Sequence, residues 1–106
     1  MSVIYKYRIE MDLETESMYI ELPIGADILS VIVEDPYTAY IYAIVDSKEE
    51  RTQKREVLWL GTGWELNEEQ EIKIADYDYL GTYKAPESYL VWHFWIEPDN
   101  SRLFEF

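Results

Sequence analysis

The chain has no cysteine and a single histidine, His93, among its 106 residues. The first absence removes disulfide staples, thiolate metal sites and cysteine nucleophiles together, so packing alone must hold the fold; it agrees with a reducing, cytoplasmic compartment. The second makes a nucleophilic triad hard to assemble, because one imidazole would have to be its base. Metal ligation would rest on carboxylates, and Asp76-Tyr77-Asp78 and Glu68-Glu69 lack the ordered spacing of a calcium loop, so neither metal nor cofactor is expected. Long apolar runs are missing too. None approaches the ~20 residues needed to cross a bilayer, and Met1-Ser2-Val3-Ile4-Tyr5-Lys6 lacks a charged-then-apolar signal pattern, so neither a membrane partner nor export by that route is expected. Basic residues are scarce: nine Lys plus Arg stand against 22 Asp plus Glu, a formal charge of −13. A field of that sign repels nucleic acid and anionic lipid, which disfavours direct DNA or RNA binding.

Aromatic residues are abundant instead: ten Tyr, four Trp and three Phe exceed what a small core needs, and some rings should be on show. The length suits one domain, residues 1–106, with 97–106 as a C-terminal tail whose Leu103, Phe104 and Phe106 can dock back or meet a neighbour. Val3 to Glu10 alternates, Ile4, Lys6, Arg8 and Glu10 against Val3, Tyr5, Tyr7 and Ile9, which is the period of a half-buried strand. Met18 to Leu22 is a second strand, closed by the Pro23 to Asp27 turn. Ile28 to Glu34 and Thr38 to Val45 read as a hairpin across Asp35-Pro36. Asp46 to Arg55 carries six charged residues from Lys48 onward and no large apolar one, and reads as an exposed loop. A strand from Glu56 to Leu60 follows, ending at Gly61-Thr62-Gly63. Asn67 to Gln70 reads as an acidic turn, Glu71 to Ala75 as a weak strand, and Tyr77 to Tyr83 as a strand bulged at Gly81. A short helix over Glu65 to Glu71 is the alternative. Tyr89 to Ile96 gives the strongest strand signal and should lie centrally. The repeated Leu60-Gly61-Thr62 and Leu80-Gly81-Thr82 are too short to signify a repeat. The fold class expected is all-β: a single-domain antiparallel β-sandwich or small barrel of about seven short strands.

Ile4-Tyr5-Lys6-Tyr7, Leu22-Pro23 through Gly25-Ala26 to Ile28-Leu29-Ser30-Val31, Gly61-Thr62-Gly63, and Leu90-Val91-Trp92-His93-Phe94 together resemble a family of small bacteriophage-type proteins of unassigned function. The resemblance implies a setting in the cytoplasm of an infected host cell and, by analogy, stoichiometric binding to host components, not catalysis.

Three features bear on what is bound. Gly61-Thr62-Gly63 after a strand is either a tight turn or a small nest of backbone N–H groups able to hold phosphate. Arg51, Lys54 and Arg55 form the one dense basic cluster, read either as a solvated loop balanced by Glu49 and Glu50 or as the neutralising half of an anion site. Along Tyr89 to Ile96 both faces are apolar, so one packs the core while the other needs a sheet, a subunit or a ligand. His93 within it is either a packed structural residue or a ligand-facing one. The leading expectation is a non-catalytic, homo-oligomeric counter-defence protein that sequesters a nucleotide-type signalling molecule. Trp64, Trp92 and Trp95 would stack the base, His93 would line the site, and Gly61, Thr62 and Gly63 with Arg51, Lys54 and Arg55 would neutralise phosphate. A rival is an acidic DNA-mimic inhibitor of a basic host nuclease, repair or restriction protein. For it, Glu10, Asp12, Glu14 and Glu16 would line one face of an extended segment ~6.6–6.8 Å apart. A third reading is a virion structural or assembly protein.

Overall fold

The computed structural model describes residues 1–99. Seven strands and one helix follow in the order β1 (Ser2–Glu10), β2 (Ser17–Pro23), β3 (Asp27–Asp35), β4 (Thr38–Asp46), β5 (Thr52–Gly61), α1 (Glu68–Asp76), β6 (Asp78–Lys84) and β7 (Val91–Ile96). They form a two-layer, all-β sandwich: a three-stranded sheet in the order β1-β4-β3 and a four-stranded sheet in the order β2-β5-β7-β6, every pairing antiparallel. No helix among the described residues is long and apolar enough to cross a membrane.

The alternation that marks each strand in the sequence decides which face it buries. Ile9, Ile41, Val45, Val31 and Val33 turn inward from the first sheet; Ile20, Leu22, Val57, Trp59, Trp92, Phe94 and Ile96 meet them from the second. Two buried indoles satisfy their N–H groups on backbone carbonyls, Trp59 donating to Asp12 at 3.2 Å and Trp92 to Pro36 at 3.1 Å. A buried tryptophan without such a partner would forfeit about 1–3 kcal/mol. The β3–β4 hairpin forms as expected, its turn fixed by the Asp35 carboxylate accepting from Tyr37 N–H at 2.8 Å. β7 lies inside its sheet, and the register slips between Tyr79 and Gly81, where a bulge was expected.

Four local expectations are corrected. The loop after β4 is shorter than Asp46 to Arg55, because β5 begins at Thr52 and Arg55 is buried within it. The weak strand over Glu71 to Ala75 is part of α1, and Asn67 to Gln70 is its capping box: Asn67 Oδ1 accepts from Gln70 N–H at 2.8 Å while Gln70 Oε1 accepts from Asn67 N–H at 2.9 Å. Tyr89 lies ahead of β7 and is fully exposed. Glu10 to Glu16 is not extended throughout: Asp12 accepts from Glu14 N–H and Thr15 N–H and folds the chain into a turn, so the row of four evenly spaced carboxylates does not form. Within the tail, Glu97 N–H donates to Glu56 O at 2.8 Å and Asp99 accepts from Gly25 N–H at 2.8 Å; Leu103, Phe104 and Phe106 lie outside the described residues.

Candidate functional site

Alternation along β7 sends Trp92, Phe94 and Ile96 into the core and leaves His93 and Trp95 half-buried on the outer face of the four-stranded sheet. The flanking strands complete that face. Register pairs Trp95 with Leu58 of β5 and Tyr79 of β6, and His93 with Leu60 and Thr82. The Tyr79 ring lies 5.2 Å from the Trp95 ring at a 49° tilt, and His93 lies 6.5 Å from Trp95 at 34°. Tyr79 is 54% exposed, so the three rings present an accessible aromatic edge.

His93 is held at both ring nitrogens. Thr62 Oγ1 bonds Nε2 at 2.7 Å and Thr82 Oγ1 bonds Nδ1 at 2.9 Å, while the Tyr79 hydroxyl bonds Thr82 Oγ1 in turn. A neutral imidazole has one N–H and one lone pair, and a hydroxyl serves either. The chain Thr62–His93–Thr82–Tyr79 therefore fixes the orientation of the ring. Both threonines come from the repeated Leu-Gly-Thr tripeptide: Leu60-Gly61-Thr62 ends β5, Leu80-Gly81-Thr82 sits in β6, and β7 runs between them. The two copies meet the ring differently, Leu60 standing opposite His93 in one and Thr82 in the other.

The other residues singled out in the sequence fall elsewhere. Trp92 is fully buried on the core side, opposite Trp95, and Trp64 packs edge-on against it, 5.3 Å away at 84°. The three indoles do not share a face, and Trp92 cannot stack a ligand. Gly61, Thr62 and Gly63 make a tight turn and not a nest, because Thr62 N–H donates to Val91 O at 3.1 Å and Trp64 N–H to Gly61 O at 3.2 Å. Gly61 is required by close approach: a Cβ there would lie 2.6 Å from the Trp64 ring.

The basic cluster is dispersed. Arg51 precedes β5 and bonds Glu49 at 2.6 Å; Lys54 is exposed beside Glu21. Arg55 is 3% exposed and clasps the two ends of the fold, its Nε donating to Glu97 O at 2.8 Å and a terminal nitrogen to Ala26 O at 3.3 Å. Burial lowers its pKa, opposed by Asp99, Asp78, Glu97 and Asp27 around it. The cleft over it, about 510 Å³, is lined by Asp27, Asp78 and Asp99 as well as Tyr79, and is hostile to an anion. Six residues of extended strand, ~20 Å, separate Arg55 from Gly61, so the basic residues and the glycine turn cannot touch one small ligand within one chain.

One cluster has no precedent in the sequence reading. Glu56, buried on the outer side of β5, receives Lys73 Nζ at 3.0 Å and the Tyr77 hydroxyl at 2.7 Å. Burial alone would raise the Glu56 pKa, but the hydrogen bonds from Tyr77, Lys73 and Ser17 and the charge of Lys73 hold it below the usual value. Burial and the bond to Glu56 push the Tyr77 hydroxyl up. The cluster pins α1 across the sheet beside the aromatic edge.

No curated protein and no solved structure matches the chain. A family model does, over residues 1–103, and by that match the chain belongs to the family described as a domain of unknown function, DUF7352.

Proposed function

We propose that the domain acts by stoichiometric binding and not by turnover, in a bacteriophage setting where it sequesters a nucleotide-type signalling molecule and so counters host defence. The observation that carries the reading is the half-buried Trp95 edge. Trp95, with Tyr79 at 5.2 Å, offers a planar surface for a base, and His93, locked between Thr62 and Thr82, stands beside it with two threonine hydroxyls for polar contact. Stacking of a base on such a ring is worth ~1–3 kcal/mol.

Charge narrows the ligand. Lys84 pairs with Val91, four residues along β7 from Trp95, which puts it ~13 Å from the indole on the same outer face. Asp78 and Glu97 lie toward the other end. A base on Trp95 with its phosphate toward Lys84 fits a nucleotide of low net charge, such as a cyclic nucleotide, better than a triphosphate. The test is to incubate the purified protein with a small-molecule extract containing cyclic and linear nucleotides and identify by mass spectrometry what co-elutes. An intact nucleotide in stoichiometric amount supports sequestration; a hydrolysed product, or an empty protein, counts against it.

A further inference from the structure

Four strands lie outermost in the sandwich, β1 and β3 in the first sheet and β2 and β6 in the second, and they are not guarded equally. An outermost strand offers unpaired N–H and C=O groups to any extended chain; bulges, proline, charge and cover by a neighbour are what ordinarily prevent it. β3 slips register twice, between Ile28 and Ser30 and between Val33 and Asp35, and runs against β6 across the sandwich. β6 is bulged between Tyr79 and Gly81. β2 has seven residues and closes on Pro23, which has no N–H to give. β1 is the long, regular edge. Its nine residues keep unbroken register with β4, from Ser2 opposite Asp46 to Glu10 opposite Thr38, and among the described residues no strand pairs with its far side. The core side of that edge is incompletely covered as well: Ile9 is buried, but Val3 and Tyr7 are half-buried and Tyr5 is 49% exposed. Its one guard is charge, Lys6 and Arg8, and that guard repels only cations.

We infer that the far edge of β1 takes an extended acidic segment of a partner protein as a fourth strand of the first sheet. The side chains choose the occupant. Alternation turns Ile4, Lys6 and Arg8 outward, with Lys6 Nζ 4.6 Å over the Tyr40 ring of β4 and Arg8 56% exposed. The carboxylates at the two ends of this row are engaged, Glu10 by Arg8 at 3.1 Å and Asp46 by the N-terminal ammonium at 3.3 Å. An added strand lies ~4.7–4.9 Å away and sets its side chains directly opposite those of β1, where unlike charges attract and like charges destabilise. Lys6 and Arg8 stand two residues apart on one face, so they suit carboxylates at alternate positions, and the residue between those carboxylates meets Tyr7 on the core side. The matching segment therefore reads acidic, apolar, acidic, and it reads so in either direction, which lets parallel and antiparallel addition both satisfy it. The net charge of −13 does not forbid this, because exposed charges more than ~8 Å away are largely screened at physiological salt, whereas Lys6 and Arg8 lie next to the added strand. A second β1 aligned antiparallel along its full length would set Lys6 against Lys6, which disfavours another copy as the occupant.

The edge belongs to the other sheet from Trp95, is independent of the nucleotide reading and is tested without nucleotide. The probe is a synthetic peptide alternating glutamate with valine, as long as β1, titrated into the isotope-labelled full chain and followed by amide chemical shifts. Shifts should be confined to β1 and β4, and the amides of β1 that do not pair with β4 should gain protection from hydrogen exchange. The lysine–valine counterpart should bind at least about tenfold more weakly. Lys6→Glu together with Arg8→Glu, both at exposed positions, should reverse that preference while leaving the circular dichroism spectrum unchanged. Absence of β1 shifts at millimolar peptide, shifts centred on β3 or β6, equal binding of the two peptides, or binding that brings no exchange protection to β1 overturns the inference. So do β1 amides already protected in the peptide-free protein at high but not at low concentration, the mark of a second copy on that edge.

Discussion

Lys73→Met tests the energetic reasoning most fully. The Glu56 side chain is 4% exposed and Lys73 26%. Removing one partner of a fully buried pair costs about 3–5 kcal/mol, because the other charge is stranded. Here Tyr77 and Ser17 still donate to Glu56 and Lys73 is partly wetted, so the expected loss is about 2–3 kcal/mol, to which the exposed Lys73–Glu69 pair adds a few tenths at most. In a chain of this length that lowers Tm by roughly 10–15 °C. The pH dependence carries a sign. In the native chain the folded-state pKa of Glu56 lies below its ordinary value, so its stabilisation is present above the ordinary carboxylate range and is lost as pH falls through the depressed value. Without Lys73 the burial effect gains weight, the folded pKa rises, and the folded state takes up a proton more readily. The stability gap between Lys73→Met and the native chain should therefore narrow as pH falls from 7 toward 4. Urea unfolding followed by tryptophan fluorescence at both ends of that range measures it. A gap under about 0.5 kcal/mol at pH 7, or one that widens in acid, refutes the reasoning.

The two tryptophans of β7 should separate stability from binding: Trp92→Ala, which empties a fully buried site, is expected to cost about 3–5 kcal/mol, and Trp95→Ala, at a half-buried one, under about 1.5 kcal/mol in the same denaturation assay. Asn67→Ala removes the cap of α1 and should cost about 1 kcal/mol, read as lost helical signal and a lower urea midpoint. Gly61→Ala forces the Trp64 ring to move, so the near-ultraviolet circular dichroism arising from the Trp64–Trp92 edge contact should change along with a loss of about 1–3 kcal/mol.

Strand positions were legible where a local signal marked them: period-2 alternation for β1, runs of Ile, Val, Tyr and Ala for β3 and β4, the density of β-branched and aromatic residues that also placed β7 centrally, and a glycine inside the β6 pattern for the bulge at Gly81. Where charge masked that signal the reading failed. Gln53, Lys54 and Arg55 look like loop residues, yet register with β2 makes them strand, and Arg55 can be buried because two carbonyls accept its hydrogen bonds and the charges of four neighbouring carboxylates offset its own. Helix α1 was caught only at its start: the alternative of a short helix over Glu65 to Glu71 overlaps it, but Glu71 to Ala75 reads as a weak strand, and the Asn67 and Gln70 pair, three residues apart, was the available signal for the cap. The site was half legible. His93 and Trp95 were found, and Thr62 with them, but Tyr79 and Thr82 meet them only through strand pairing, which one sequence does not display. Nearness in sequence misled in the other direction, joining Arg51 to Gly61 although an extended strand carries them apart.

The binding claim is tested most directly by equilibrium dialysis of a panel of cyclic and linear nucleotides against the native protein, Trp95→Ala and Arg51→Ala. The account predicts retention of a cyclic nucleotide that falls about 5- to 150-fold with Trp95→Ala and is unchanged with Arg51→Ala. Retention indifferent to Trp95, or dependent on Arg51, would contradict it.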